Sequence, residues 1–366
     1  MSFQNLRNYV EDEDMPIIPQ VDYQYATNPF SGVLKGLTSV SHLNFGGSYY
    51  QGGSGTTRAS LTQDFELPYI SSFGAVFKAQ GQLRYDAFHV KNNANDETDT
   101  GRFYPNAAIE ARYPLVQNTQ HFTQVLEPIA QLTWTPNVKQ KENIIPNEDS
   151  LDFNFDSTNL FDVNRYTGYD RVETGVRANY GMRWNLMGPK NIALSGLFGQ
   201  SYRISDYSNV PENAGLNDDF SSYVGNLNLD FSDFGFSYRF RLNQDTFKQE
   251  MTEFSVHGGR DPLRLGASYL YLKSDKENKT LNKYWDREEV TFYGSSKLSK
   301  NWKVGGSYRY NLADNGGPID ATAFLQYENE CLILDFVMDK EFTKDEDYSG
   351  DTSFVLRLQL KTIGAI

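Results

Sequence analysis

The chain has 366 residues, a formal net charge of −13 and one cysteine. That charge disfavours nucleic acid as a partner, because phosphates need a basic footprint. A lone cysteine excludes an internal disulfide framework and a multi-cysteine zinc site. Aromatic residues make up 14% of the chain, which is too rich for a disordered polypeptide. No run approaches the roughly 18 apolar residues of a transmembrane helix. Membrane strands stay open as a possibility, since alternation hides them from averaged hydropathy.

The first sixteen residues, MSFQNLRNYVEDEDMP, lack the basic and then apolar regions of a signal peptide. Beyond them the dominant period is two. Strands are expected near 18–27, 38–50, 56–68, 73–89, 103–115 and 119–135. A long polar connection over 137–164 follows, then strands near 170–187, 190–205, 220–232, 233–243, 251–260 and 263–274. The last group is 287–299, 301–312, 318–329, 331–343 and 352–362, giving about 16 to 18 strands in all.

Four segments show the alternation clearly. Val172, Thr174, Val176, Ala178, Tyr180, Met182 and Trp184 oppose Arg171, Glu173, Gly175, Arg177, Asn179, Gly181 and Arg183. Phe234, Phe236, Tyr238, Phe240 and Leu242 oppose Gly235, Ser237, Arg239 and Arg241. Trp302, Val304, Gly306, Tyr308 and Tyr310 oppose Lys303, Gly305, Ser307 and Arg309. Phe354, Leu356, Leu358 and Leu360 oppose Val355, Arg357, Gln359 and Lys361. Successive strand side chains point to opposite faces, so each strand has one apolar and one polar face. A soluble β-sandwich alternates too, but its core favours Val, Ile and Leu, whereas these apolar faces are heavy in Tyr and Phe.

Tight connections (187–191, 299–302) alternate with long polar ones (92–102, 137–164, 206–219, 275–286). Short turns at one end and long loops at the other characterise a transmembrane barrel. Tyr271, Trp285, Trp302 and Tyr310 suit its interfacial girdles. The predicted fold class is therefore all-β, a large antiparallel transmembrane β-barrel. Arg171, Arg177, Arg183, Arg239, Arg241, Lys303, Arg309, Arg357 and Lys361 then belong on a water-filled interior, because a cation facing lipid at mid-bilayer costs roughly 2–4 kcal/mol. They either pair with interior acids such as Glu173 and hold the barrel's shape, or meet the phosphates of a passing lipid or a plug protein.

No enzymatic constellation stands out. GxSxG, Walker and GxGxxG motifs are missing, and the four His (His42, His89, His121, His257) have no ligand spacing. Acids at 11–14 and at Glu148 with Asp149 read as solvated loop residues. The acidic stretch 147–162 offers a divalent cation some attraction but lacks an EF-hand spacing. No cofactor is expected.

One region goes further. LEPIAQLTWTP at 126–136 precedes IIPNEDSLDFNFDSTNLFDVNRYTGYDRVETGVRANYG at 144–181. It resembles the barrel of the LptD family of LPS-assembly proteins, in which an LEP-x-AQ strand leads through an acidic loop to LF and then R-x-x-G-x-DR. The matching residues are Leu126, Glu127, Pro128, Ala130, Gln131, Leu160, Phe161, Arg165, Gly168, Asp170 and Arg171. PQVDYQY at 19–25, YENECLILDFVMDKEFT at 327–343 and SFVLRLQLKTIG at 353–364 resemble further strands of that barrel.

The resemblance implies an outer-membrane translocon component of Gram-negative bacteria that delivers lipopolysaccharide to the outer leaflet without chemistry on it. A passive pore or other large channel is the alternative, and a soluble carbohydrate-active enzyme a third. The implied partners are lipopolysaccharide, an LptE-like plug lipoprotein in the lumen, a periplasmic LPS bridge protein, the barrel assembly machinery and the membrane. The family's periplasmic jelly-roll and export signal are not found in residues 1–366, which are expected to be the C-terminal barrel region of a longer protein.

In the family the lipid leaves between first and last strands, so Phe354, Leu356, Leu358 and Leu360 mark the expected exit-seam strand. Family members tie the cysteine of this region to the jelly-roll, which implies a disulfide from Cys331 to a residue upstream; a buried apolar role is the other reading of Cys331. Pro128 cannot donate to a ladder and is expected at a bulge or strand end.

Overall fold

The computed structural model describes residues 21–27, 29–31, 35–49, 54–91, 96–138, 144–150, 153–205, 210, 214–216, 218–273, 287–313, 316–342 and 352–361. Among them there are eighteen strands and no helix. In chain order these are β1 (Val21–Ala26), β2 (Thr38–Tyr49), β3 (Gly55–Ile70), β4 (Val76–Lys91), β5 (Glu97–Arg112), β6 (Leu115–Asn118), β7 (Thr123–Thr135), β8 (Gly175–Met187) and β9 (Ile192–Arg203). They continue as β10 (Tyr223–Phe231), β11 (Phe234–Leu242), β12 (Gln249–Arg260), β13 (Leu263–Leu272), β14 (Arg287–Lys297), β15 (Trp302–Asn311), β16 (Gly317–Glu328), β17 (Leu332–Glu341) and β18 (Thr352–Leu360). No helix of the described residues is long and apolar enough to cross a membrane.

The chain divides into two compact units. In the first, β1 pairs with β2, β2 with β3, β3 with β4, β4 with β5 and β5 with β7, all antiparallel. The register aligns Asn44, Ser60, Asp86 and Arg102 across β2 to β5, and the next row aligns Leu43, Leu61, Tyr85 and Phe103. The first row is buried and the second exposed: Asp86 is 0% accessible, whereas Phe103 is 55%. This polarity is the reverse of a water-soluble core. Tyr23, Tyr25, Phe45, Leu83, Ile109, Leu132 and Trp134 extend the exposed apolar face.

In the second unit β10 through β18 pair consecutively, again antiparallel. Phe292, Tyr308, Leu325, Phe336 and Leu356 form its exposed apolar face. Arg309 lies opposite Asp320, and Asp335 opposite Arg357, on the polar face. The faces expected for Phe234–Leu242, Trp302–Tyr310 and Phe354–Leu360 are the faces observed.

Three strand expectations need correction. β5 starts at Glu97, inside the stretch expected as loop, because Thr98 and Thr100 continue the ladder to β4. A short β6 precedes β7, set off from β5 by Tyr113 and Pro114. β8 begins at Gly175 rather than near residue 170, because the preceding residues spend their backbone donors and acceptors on the 144–174 loop; Gly175 enters the strand with φ of 107°, which suits glycine.

Pro128 is not at a strand end. It sits inside β7, one residue beyond the Arg112–Ile129 pair where the β5 ladder stops. Its carbonyl accepts from the Tyr113 N–H at 3.2 Å. Trp285, residues 11–14 and part of each flanking family segment lie outside the described residues.

Candidate functional site

The most heavily built feature of the first unit is the connection between β7 and β8. Residues 144–150 and 153–174 of it fold against the polar faces of β3, β4, β5, β7 and β8. A segment full of polar backbone can be buried only if its donors and acceptors find partners, and here charged side chains of the strands supply them.

Three arginines meet the loop. Arg58 of β3 donates from Nη1 to Asp149 Oδ2 at 2.6 Å and to Asp170 Oδ1 at 2.7 Å. Arg84 of β4 and Arg102 of β5 share Asp86, with contacts of 2.8 and 2.7 Å. Both also donate to the Tyr169 carbonyl. The Tyr169 ring lies under the guanidinium groups of Arg58 and Arg84, 4.6 and 4.5 Å from its centroid, a cation–π geometry.

Asp149 and Asp170 then clasp each other's backbone. Asp149 accepts from the N–H groups of Tyr169 and Asp170, and Asp170 accepts from those of Glu148 and Asp149. Gly168 makes this possible: a Cβ there would collide with the Asp149 carboxylate and carbonyl. Burial pushes Asp149 upward in pKa, but the Arg58 charge and the two N–H donors outweigh it and hold Asp149 below the usual carboxylate range. Asp170 is raised, first by burial and then by the neighbouring Asp149 charge. A proton added to the pair therefore resides on Asp170.

A second cluster sits around Glu173, whose side chain is fully buried between Arg165 and Arg177, each 3.3 Å away. Arg177 Nη2 donates to the carbonyls of Asp162 and Val163 at 2.6 and 2.8 Å. Arg165 reaches Asn179 and Ser201, and its guanidinium lies 4.7 Å from the Phe155 ring centroid. Gln131 of β7 donates to the Phe161 carbonyl at 2.8 Å and accepts from Asn179 at 2.7 Å. Leu160 fills the remaining space, fully buried.

The expected motif residues thus converge. Gln131, Leu160, Phe161, Arg165, Gly168, Asp170 and Arg171 all belong to the loop or its docking surface. Leu126, Glu127, Pro128 and Ala130 lie along β7.

The LptD family model, described as LPS transport system D, matches residues 1–302. The chain belongs to the LptD family. LPS-assembly protein LptD of Vibrio cholerae is 23% identical over 91% of this chain and 45% of its own length. LptD of Vibrio vulnificus is 23% identical over 70% of the chain and 34% of its own length. LptD of Paracidovorax citrulli is 20% identical over 88% and 41%. The chain spans less than half the length of these relatives.

Within this LptD chain the nine expected interior cations separate into kinds. Arg171 is not on a strand: it lies ahead of β8 and donates to the Ile145 carbonyl at 3.1 Å. Arg177 is fully buried beneath the loop, so it is no open interior surface. Arg183 follows on the same face of β8, half-buried. Arg241 is buried beside Glu250 at 3.4 Å. Arg239 sits directly opposite Glu253, 3.5 Å away.

Arg309 bonds Asp320 at 2.7 Å. Arg357 lies opposite Asp335, and Lys361 meets Glu328. Lys303 stands over the Phe324 ring at 5.8 Å. Pairing with acids of the same face, the structural alternative, describes most of them.

Reading Glu148 and Asp149 as solvated was wrong for Asp149, which is clasped within the network. Arg58, Arg84, Asp86, Arg102 and Tyr169 went unremarked in the sequence. A charged pair at spacing two, Arg84 and Asp86, was the available signal. Among the described residues no cluster of metal-ligating side chains occurs. Cys331 is exposed in the β16–β17 turn, so it is not the buried apolar residue of the alternative reading. Phe354, Leu356 and Leu358 of β18 are more than 60% accessible, and β17 is the register partner of β18 among the described residues.

Proposed function

We propose that this LptD chain is the barrel portion of an outer-membrane protein that delivers lipopolysaccharide to the outer leaflet, with no chemistry on the lipid. The observation that carries the proposal is the polarity of the two units: in the first a charged row is buried, and in both the Tyr- and Phe-rich rows are exposed. Only an apolar medium favours that arrangement, since each outward apolar side chain would otherwise face water. An LptE-like plug lipoprotein in the lumen, a periplasmic LPS bridge protein and the barrel assembly machinery are the proposed partners. β18 is the proposed exit seam, because an edge strand in hydrocarbon leaves backbone groups that only a neighbouring strand can satisfy.

Conditional depletion of the complete protein in its own host tests the function. Newly made lipopolysaccharide is expected to stop reaching the cell surface. Unchanged surface lipopolysaccharide with reduced small-solute uptake would instead establish the passive-pore alternative.

Cys331 is proposed to form a disulfide with a cysteine outside residues 1–366. The tight β16–β17 turn belongs to the short-turn end, which faces the oxidising periplasm in such barrels. Non-reducing gels of the complete protein are expected to show a mobility shift that reductant and Cys331→Ser both abolish. Free reaction of Cys331 with a maleimide in the unreduced mature protein would rule the bond out.

A further inference from the structure

The strands from β10 to β16 are joined by two kinds of connection. β10 and β11, β12 and β13, and β14 and β15 meet in the tight turns 232–233, 261–262 and 298–301. The intervening ladders, β11–β12, β13–β14 and β15–β16, close at the other end through 243–248, 273–286 and 312–316. A tight turn fixes the register of its hairpin, whereas a longer connection leaves it weakly specified. Two of the intervening ladders also shift register beside their connection, between Arg241 and Leu242 and between Arg309 and Tyr310. The connection therefore does not hand a register down the ladder.

Each of these three ladders carries a glycine covered by a ring of the facing strand. His257 lies opposite Gly235, Tyr293 opposite Gly266, and Phe324 opposite Gly305. In each pair the ring holds the space that a Cβ on the glycine would need. The ring comes from the later strand and the glycine from the earlier one, and all three pairs sit toward the tight-turn end, far from the connection that closes the ladder. Alternation cannot choose this register by itself. A slip by one residue turns the apolar face inward and is strongly disfavoured. A slip by two restores both faces. It would set the rings against Asp233 or Ser237, Arg264 or Ser268, and Lys303 or Ser307, each of which has a side chain where the ring must lie.

We propose that His257, Tyr293 and Phe324 pin the register of the three ladders that their connections leave open. The pins act while the sheet is being built, before closure of a barrel constrains every strand at once. At that stage only pairwise cross-strand contacts distinguish one register from the next, and a ring seated on a bare glycine is a contact that only one register allows. Such pinning is independent of what the finished barrel carries.

The test follows β13–β14 in the complete protein. Ser268→Cys with Thr291→Cys reports the native register, in which the two positions are opposite. Ser268→Cys with Glu289→Cys, and Leu270→Cys with Thr291→Cys, report slips by two in the two directions. Protein is collected soon after induction, and its disulfides are identified by mass. Tyr293→Ala is expected to raise the ratio of slipped to native disulfide about five-fold, the scale of one cross-strand aromatic pair. Tyr293→Phe keeps the ring and should leave the ratio unchanged. Phe292→Ala removes a ring from the other face of the same strand, opposite Ala267, and should leave it unchanged too.

Gly266→Ala attacks the same joint from the other strand: it keeps Tyr293 but fills the space of its ring, and it should raise the ratio as Tyr293→Ala does. This second variant carries the test if Tyr293→Ala leaves too little protein to read. A ratio unmoved by either substitution overturns the proposal. An equal rise in Phe292→Ala or in Tyr293→Phe overturns it as well, because the effect would then not belong to a ring seated on Gly266.

Discussion

Arg177→Glu is expected to unseat the 144–174 loop and to cost about 3–5 kcal/mol, the usual penalty for breaking a buried charge pair. The substitution leaves two fully buried glutamates, Glu173 and the new one, with Arg165 as their nearest cation. It also turns two carbonyl-facing donors toward Asp162 and Val163 into repelling oxygens. The complete protein should show lost heat-modifiable mobility and fast amide exchange across the loop. Arg239→Glu, at a 36% exposed side chain opposite Glu253, should change stability by about 0–1 kcal/mol, as for exposed ion pairs. Equal behaviour of the two variants would mean that Arg177 does not anchor the loop. The sequence alone had put both arginines in one class, as cations of a water-filled interior. Of the two, only Arg239 is part-exposed; surface lipopolysaccharide in the Arg239→Glu strain is expected to fall with barrel assembly intact.

The Asp149–Asp170 pair should respond to substitution and to pH with opposite signs. Asp149 is lowered in the folded state, so its contribution is present above the ordinary carboxylate pKa and is lost as pH falls through its lowered value. Asp149→Asn should therefore destabilise the loop by about 2–3 kcal/mol at neutral pH, the scale of hydrogen bonds to a charged group. That deficit should shrink below the ordinary carboxylate range, where the unfolded reference no longer ionises.

Asp170 is raised, so the fold prefers it protonated. Its favourable contribution is complete below the ordinary carboxylate pKa and is lost as pH rises through the raised value. Asp170→Asn mimics the protonated form and keeps an oxygen for the N–H groups of Glu148 and Asp149. Its amide nitrogen then faces the Arg58 donor that bonds Asp170 Oδ1, so it should cost about 1–2 kcal/mol at neutral pH, less than Asp149→Asn, and improve relative to wild type as pH increases. Amide exchange of peptides covering 144–174, measured between about pH 2 and about pH 8, reads both. A larger loss for Asp170→Asn than for Asp149→Asn at neutral pH would reverse the assignment of the shared proton.

Gly168 ties these residues to the chain's family. In the sequence it is one glycine in a motif; in the structure it is where the Asp149 carboxylate and carbonyl occupy the space of a side chain. The neighbouring Gly199 is similar, since a Cβ there would press on Leu160 and on the Tyr180 carbonyl. Both show why the loop seats in one position: the backbone is approached too closely for any larger residue.

The strand pattern was legible because period two is a local property. In β11, β15 and β18 each residue's face follows from its neighbours in sequence, and the structure places Arg239, Lys303 and Arg357 on the polar side as their alternation requires. The motif from Leu126 to Arg171 was legible for a different reason, because its spacing is kept along the chain. What the sequence could not decide was which polar residues meet. Asp86 lies 16 residues from Arg102, Arg58 lies 112 from Asp170, and Arg177 lies beneath a loop rather than open to the interior. Those pairings depend on strand register and on where a long loop folds back, and both are set by the sum of many distant contacts. Alternation fixes the face of a charge; only the tertiary structure decides whether that charge is buried in a network, paired across a strand or, like Lys303, set over an aromatic ring.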